Sequence, residues 1–410
     1  MESYLLASDE AKEMPRRANA RIGLGDGEVS TAKRTLTTYP LRASASIPSV
    51  LTVIRSLWLG PATTMKQLHT VLKLCLFWIL LSSLGCQKES ESVVSIALHP
   101  TNANILYVAT NDAVYKSRDG GHTWDNLSHG MSHSRVISMA IDPVYPATIY
   151  AGTKGDAVYK SYDGGQRWVS LRAGLDDVTI SSVVNQFIFD PVNNARLFAA
   201  TTMGVFETQD GGEHWQKRMD GMKEVLMVVT IAMDTVRPDI LYAGTSGGVY
   251  KSVNQGARWE KINNGLVSPD ELKSSRALGV TVIAADTFTP DTVYAATLSG
   301  MYKSTDAGQS WDRIAQSLPD QMISAMLLDR ASKDVLYVAS RNGIHKSGDG
   351  GATWKAMNEG LATLNIRSLA QSPTDPQIFY VGTNGSGLYR SQDAGGKWEP
   401  LSSVRSADGG

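Results

Sequence analysis

Cysteine is nearly absent from this chain: 410 residues contain two, Cys75 and Cys86, and both precede the repeated part of the sequence. No disulfide can staple that part. A charge excess is also missing. With 39 Lys and Arg against 40 Asp and Glu, the formal net charge is -1, so nothing draws the chain in bulk toward nucleic acid or an anionic membrane. Nor is there a run of the roughly 20 apolar residues that a membrane-spanning helix needs; Leu74–Leu81 with its flanks stops well short. What is plentiful is apolar content, at 42%, enough for a large core, and glycine, of which 37 suit many tight turns.

Between residues 117 and 398 the phrase Ser/Thr-x-Asp-x-Gly-x-x-Trp is written seven times. The copies carry Asp119, Asp163, Asp210, Asn254, Asp306, Asp349 and Asp393, and end at Trp124, Trp168, Trp215, Trp259, Trp311, Trp354 and Trp398. Successive tryptophans are 44, 47, 44, 52, 43 and 44 residues apart. A period of that length, sustained over seven units, predicts an all-β fold, a seven-bladed β-propeller of four-stranded antiparallel blades. Within the first unit, apolar runs alternate with turn clusters and predict strands at 94–98, 105–109, 113–117 and 124–127; the last unit repeats them at 366–370, 378–381, 388–391 and 398–401. A four-stranded sheet cannot bury both faces alone, so the units must stack around an axis. Closure is expected from packing of the first blade on the seventh.

The phrase falls between strands three and four. Its acid can accept turn N–H groups, its glycine supplies a permissive backbone, and its tryptophan can bury roughly 200 Å² of ring between blades. These residues are read as structural. The phrase and its period resemble the Asp-box, or BNR, repeat, and the longer unit is similar to sialidase-like and photosystem II assembly-factor propellers, over residues 93–402. The resemblance implies the fold, with boxes at the outer edge on the face away from any ligand. It does not imply one function.

Ahead of the repeats, Lys66 and Lys73, the apolar run from Leu74 and then Leu84-Gly85-Cys86 resemble a bacterial lipoprotein signal. That resemblance implies a signal peptide at 65–85, lipidation of Cys86, a short tether at 86–92 and an exported, membrane-anchored domain on the periplasmic side or cell surface. Ser83 departs from the pattern, which prefers Leu. Residues 1–64 lack apolar periodicity and are read as disordered, or as an extension ahead of a true start at Met65; an organellar transit peptide is the alternative for the Arg- and Ser-rich stretch 33–56. Residues 403–410 are read as a polar tail.

Function is expected on the face opposite the boxes, which carries the crossovers between blades and the turns between strands two and three. Its candidate partner-binding residues are His133, Arg135, Arg172, Asp177, Lys223, Glu224, Asp270, Glu271, Lys273 and Arg276. The last four belong to Leu266–Gly279, which absorbs the 52-residue spacing, and Ser268-Pro269-Asp270-Glu271 predicts a short capped helix there. His129 and His133 stand four apart, but Gly130, Ser132 and Ser134 predict a loop, and no metal site or cofactor is assigned. A basic residue precedes six of the seven boxes, Glu207 being the exception, and is read as covering its strand rather than forming a binding ring.

Two functions remain in view. A glycoside hydrolase of the sialidase or xyloglucanase kind would act on extracellular glycans, but the Arg-Ile-Pro tripeptide that the resemblance associates with sialidases is missing, and no catalytic residue is assigned. The preferred reading is a noncatalytic propeller that binds a protein or assists assembly, with a glycan as the alternative ligand, no nucleic acid, and membrane contact through the lipid anchor alone.

Overall fold

The computed structural model describes residues 91–404 apart from 132–134, 157, 176–181, 223–226, 267–277, 316–317 and 319–321. The lipidation candidate Cys86, the whole signal segment and the expected helix after Ser268 lie outside the described residues. Every described regular element of more than a single turn is a β-strand. Five antiparallel sheets hold four strands each, consecutive in sequence, and one sheet holds eight. The eight are the first four strands of the chain and the last four, joined where Glu91 and Ser92 pair with Gly385 and Asn384.

Strand positions follow the sequence reading closely. In the first repeat they are Glu91–Leu98, Leu106–Thr110, Val114–Ser117 and Asp125–Asn126, and in the last Ile366–Gln371, Phe379–Gly385, Leu388–Ser391 and Glu399–Pro400. The opening strand begins at Glu91, ahead of the expected boundary. Second strands read as continuous apolar runs, Leu106-Tyr-Val-Ala-Thr110 for example, because both of their faces are covered. Fourth strands are two or three residues long and mostly polar, which keeps the free edge from pairing with another chain.

The core is divided among the joints between repeats. One cluster unites Tyr107, Val114 and Leu127 of the first repeat with Ile149, Tyr159 and Trp168 of the second, and equivalent clusters occupy each successive joint. A further cluster sets Val93, Val108 and Trp124 against Tyr380, Leu388 and Val404, joining the last repeat to the first. Val404, in the segment expected to be a polar tail, is fully buried.

Strand alternation assigns the loops to two faces. Turns between strands one and two share a face with the boxes, while crossovers and turns between strands two and three occupy the other.

Candidate functional site

The boxes themselves are fully engaged in local structure. In the first, Ser117 Oγ donates to Asp119 Oδ1 at 2.8 Å and accepts the Gly121 N–H at 2.7 Å, while Asp119 accepts the N–H groups of His122 and Thr123. Asn254 preserves this pattern, accepting from Ser252 Oγ and from the Arg258 N–H, both at 2.9 Å. The geometry needs an oxygen acceptor, and the charge is dispensable. Four of the seven box indoles then fasten one repeat to the one before: Trp168 Nε1 donates to Leu127 O, Trp259 Nε1 to Arg218 O, Trp311 Nε1 to Ile262 O and Trp398 Nε1 to Met357 O.

These bonds hold the carboxylates low. The Ser310 hydroxyl, then its N–H, bring Asp306 down to about 2, and Thr353 does the same for Asp349. A carboxylate with a folded pKa below its unfolded value of about 3.9 adds stability above that value and loses it as pH falls through the folded pKa. The melting temperature is therefore expected to hold down to about pH 4 and to drop between there and pH 2. Asp306→Asn with Asp349→Asn should flatten that drop; an unchanged acid limb would refute the assignment.

The basic residues before the boxes reach across the joints. Lys116 lies opposite Tyr107 in the ladder, with Nζ 5.0 Å from the ring centre, and both Lys116 Nζ and Tyr107 Oη donate to Gly164 O of the next box. Lys160 and Tyr150 meet Gly211 O in the same way, at 2.6 and 2.8 Å. Burial depresses both lysines and raises both tyrosines. These cations are fasteners between repeats. The sequence carries a signal for them: the one repeat without Lys or Arg at this position, at Glu207, is also the one with Phe198 for Tyr, and those two residues are ladder partners. There Arg196 and Arg218 bracket Glu207, each with a 2.6 Å contact, and Arg196 also donates to Gln255 in the next box.

On the opposite face, the two described members of the expected partner site behave differently. Arg172 is in an ion pair with Asp156, which also accepts from Tyr159 Oη. Arg135 opens the first strand of the second repeat and donates to Asn111. His133, Asp177, Lys223, Glu224, Asp270, Glu271, Lys273 and Arg276 lie outside the described residues.

A residue absent from the expected set also reaches the first repeat on this face. Arg367 Nη1 donates to Ser92 Oγ at 3.0 Å and approaches Asn384 Oδ1 at 3.5 Å. Its pKa is lowered by burial and then by the charge of Arg135. Two arginines that look scattered in sequence thus flank the first repeat from either side, each at the start of its repeat's first strand. Among the described residues neither is in an ion pair with a carboxylate. Farther round the same face, Leu298, Met322 and Leu364 of the last three repeats are 50%, 44% and 42% exposed.

A family model described as Sortilin, neurotensin receptor 3 (Sortilin-Vps10) matches residues 111–244. No curated protein matches the chain. Solved structures similar to it include an ancestral GH74 enzyme, with a TM-score of 0.62 and 20% identity over 76% of this chain and 46% of that one. The GH74 xyloglucanase from Xanthomonas campestris gives 0.59 and 16% identity over 77% and 55%. YCF48 bound to D1 peptide gives 0.54 and 17% identity over 74% and 94%. The chain thus spans about half the length of these two GH74 proteins. At such identities the likeness establishes the fold, a β-propeller.

Proposed function

We propose that the chain is a closed propeller of seven blades that binds a protein partner through its crossover face. Asp-box identity, export and the lipid anchor at Cys86 belong to the same reading. The observation that carries it is that Arg135 and Arg367, on that face, both reach the first repeat, through Asn111 and Ser92, and that Leu298, Met322 and Leu364 are exposed farther round it. Two guanidinium groups on one face, neither in an ion pair with a carboxylate among the described residues, suit a carboxylate from a partner. Exposed apolar side chains on the same face suit an extended segment of protein better than a small ion.

The fit to nearly the whole of YCF48, which has been solved with a D1 peptide, supports a binding role. A glycoside hydrolase is the alternative and draws on the GH74 likeness. Partner capture from native membranes by the full chain, compared with the Arg135→Ala, Arg367→Ala double variant, tests the reading. Retention is expected to fall about tenfold or more. Unchanged capture, or sugar release from xyloglucan or sialosides that an acid-to-amide change on this face abolishes, would overturn it. Membrane association should likewise be lost in Cys86→Ser.

A further inference from the structure

The box face carries a second, separate surface. In each repeat the turn between strands one and two is built alike: the residue at its start, an Asp in five repeats, accepts the N–H of the residue two further on. That third residue is held at the tip of the turn. Around the chain it is Thr101, Val144, Val192, Val236, Phe288, Ala331 and Thr374 in turn. The large apolar ones occupy four consecutive repeats, and they are 58%, 83%, 66% and 44% exposed. Random scatter of single apolar residues is ordinary on protein surfaces; four at equivalent tips of consecutive repeats make a row.

The boxes extend the same sector. Their second residue is Tyr162 in the second repeat and Val253 in the fourth, both more than half exposed, whereas the other five carry Arg118, Gln209, Thr305, Gly348 and Gln392. Tyr162 is held in place, with its hydroxyl donating to Glu213 of the third repeat at 2.7 Å and Lys160 Nζ 4.4 Å from its ring centre. The sector is also tied across its joints. Asn194 approaches Asp142 at 3.5 Å, Arg196 donates to Gln255, and Arg237 pairs with Asp291 at 2.6 Å.

Charge decides what can lie on it. The boxes and turns of these four repeats present Asp163, Asp210, Glu213, Asp239 and Asp306, against Arg167 and Arg258. The other two arginines are paired, Arg196 with Glu207 and Arg237 with Asp234 and Asp291. Apolar tips in an acidic frame repel an anionic bilayer, and they repel a second copy presenting the same face. They complement a surface that is apolar and cationic at once.

We propose that the box-face sector of the second to fifth repeats docks a cationic amphipathic segment of another protein, independently of the arginine pair on the opposite face. The test uses the full chain and a fluorescently labelled synthetic Lys/Leu amphipathic peptide, with binding read by anisotropy. Val192→Ser with Phe288→Ser should weaken binding about tenfold, and added salt should weaken it further. Ala331→Ser, at the equivalent tip outside the sector, should leave it unchanged. Because these tips face water, the melting temperature should stay near that of the parent and serves as the folding control.

Equal affinity of the double variant and the parent would overturn the proposal, as would equal loss in Ala331→Ser. Two further arms cover the other occupants. Co-sedimentation with vesicles of phosphatidylcholine and phosphatidylglycerol, abolished by the double variant, would make the sector a membrane surface instead. Concentration-dependent dimerisation abolished by it would make the sector a self-association face.

Discussion

Replacing Gly221 by alanine should destabilise the protein by more than about 4 kcal/mol, while the same change at Gly130 should cost about 1–2 kcal/mol. Both glycines sit in crossovers with a positive φ, +88° and +89°. A Cβ at Gly221 would lie 2.0 Å from the carbonyl oxygen of Trp259, whereas at Gly130 nothing comes nearer than 3.8 Å. The crowding at Gly221 cannot relax easily, because the Trp259 N–H donates to Asp220 O at 2.9 Å and holds crossover and box strand together. Gly130→Ala bears only the left-handed backbone, and Gly221→Ala bears that and a backbone collision. Denaturant midpoints of the two variants compare them directly, and similar losses would show that φ alone sets the cost.

Arg196→Met is expected to cost about 2–3 kcal/mol, the loss of one charged hydrogen bond to a buried carboxylate that keeps Arg218 as its partner. Glu207 is 2% exposed and meets Arg196 and Arg218 on either side. Glu207→Lys restores the residue type common at this position, yet it sets a third cation against two guanidinium groups and should be at least as harmful. The remedy is to convert the repeat as a whole. Arg196 replaces the Thr148 and Thr292 of other repeats, Phe198 replaces a tyrosine, and Arg218 stands where Leu127, Leu171 and Ile262 stand elsewhere. The quadruple variant Arg196→Thr, Phe198→Tyr, Glu207→Lys, Arg218→Leu should recover most of the stability lost in Glu207→Lys. If it is no more stable than that single variant, the four residues do not act as one unit.

The reading of periodicity located the strands because each repeat is a local pattern: alternation within strands, turn residues between them, and a tryptophan at a fixed interval. The role of the box acid was equally legible, since its bonds close within five residues. What was hidden depends on neighbours far away in sequence. Lys116 covers its own ladder partner, as read, but its bond to Gly164 needs the next repeat in place. Arg367 meets Ser92 and feels Arg135 only because the last repeat returns to the first. The exposed tips at Val192 and Phe288 leave no signal of their own in the sequence, because turn chemistry specifies conformation and not what the turn presents.

Joining the last repeat to the first carries a polymer cost that the other joints avoid. Elsewhere, consecutive repeats are tethered by a crossover of between 8 and 18 residues. This joint instead unites groups as far apart in sequence as Val404 and Glu91, where the Val404 N–H donates to Glu91 Oε1 at 3.0 Å across 313 positions. Loop-closure entropy grows as the logarithm of length, so gathering that span in place of one repeat's worth of chain costs about 2 kcal/mol more. The seam carries fittings to match. Ser403 Oγ donates to Glu91 Oε2, the Gly387 N–H donates to Glu91 O, and Glu91 and Ser92 add two ladder pairs. At about 1 kcal/mol net for each hydrogen bond, this latch offsets the entropy of the long loop, and its placement at the two ends of the described residues leaves the ring no looser at its seam than elsewhere.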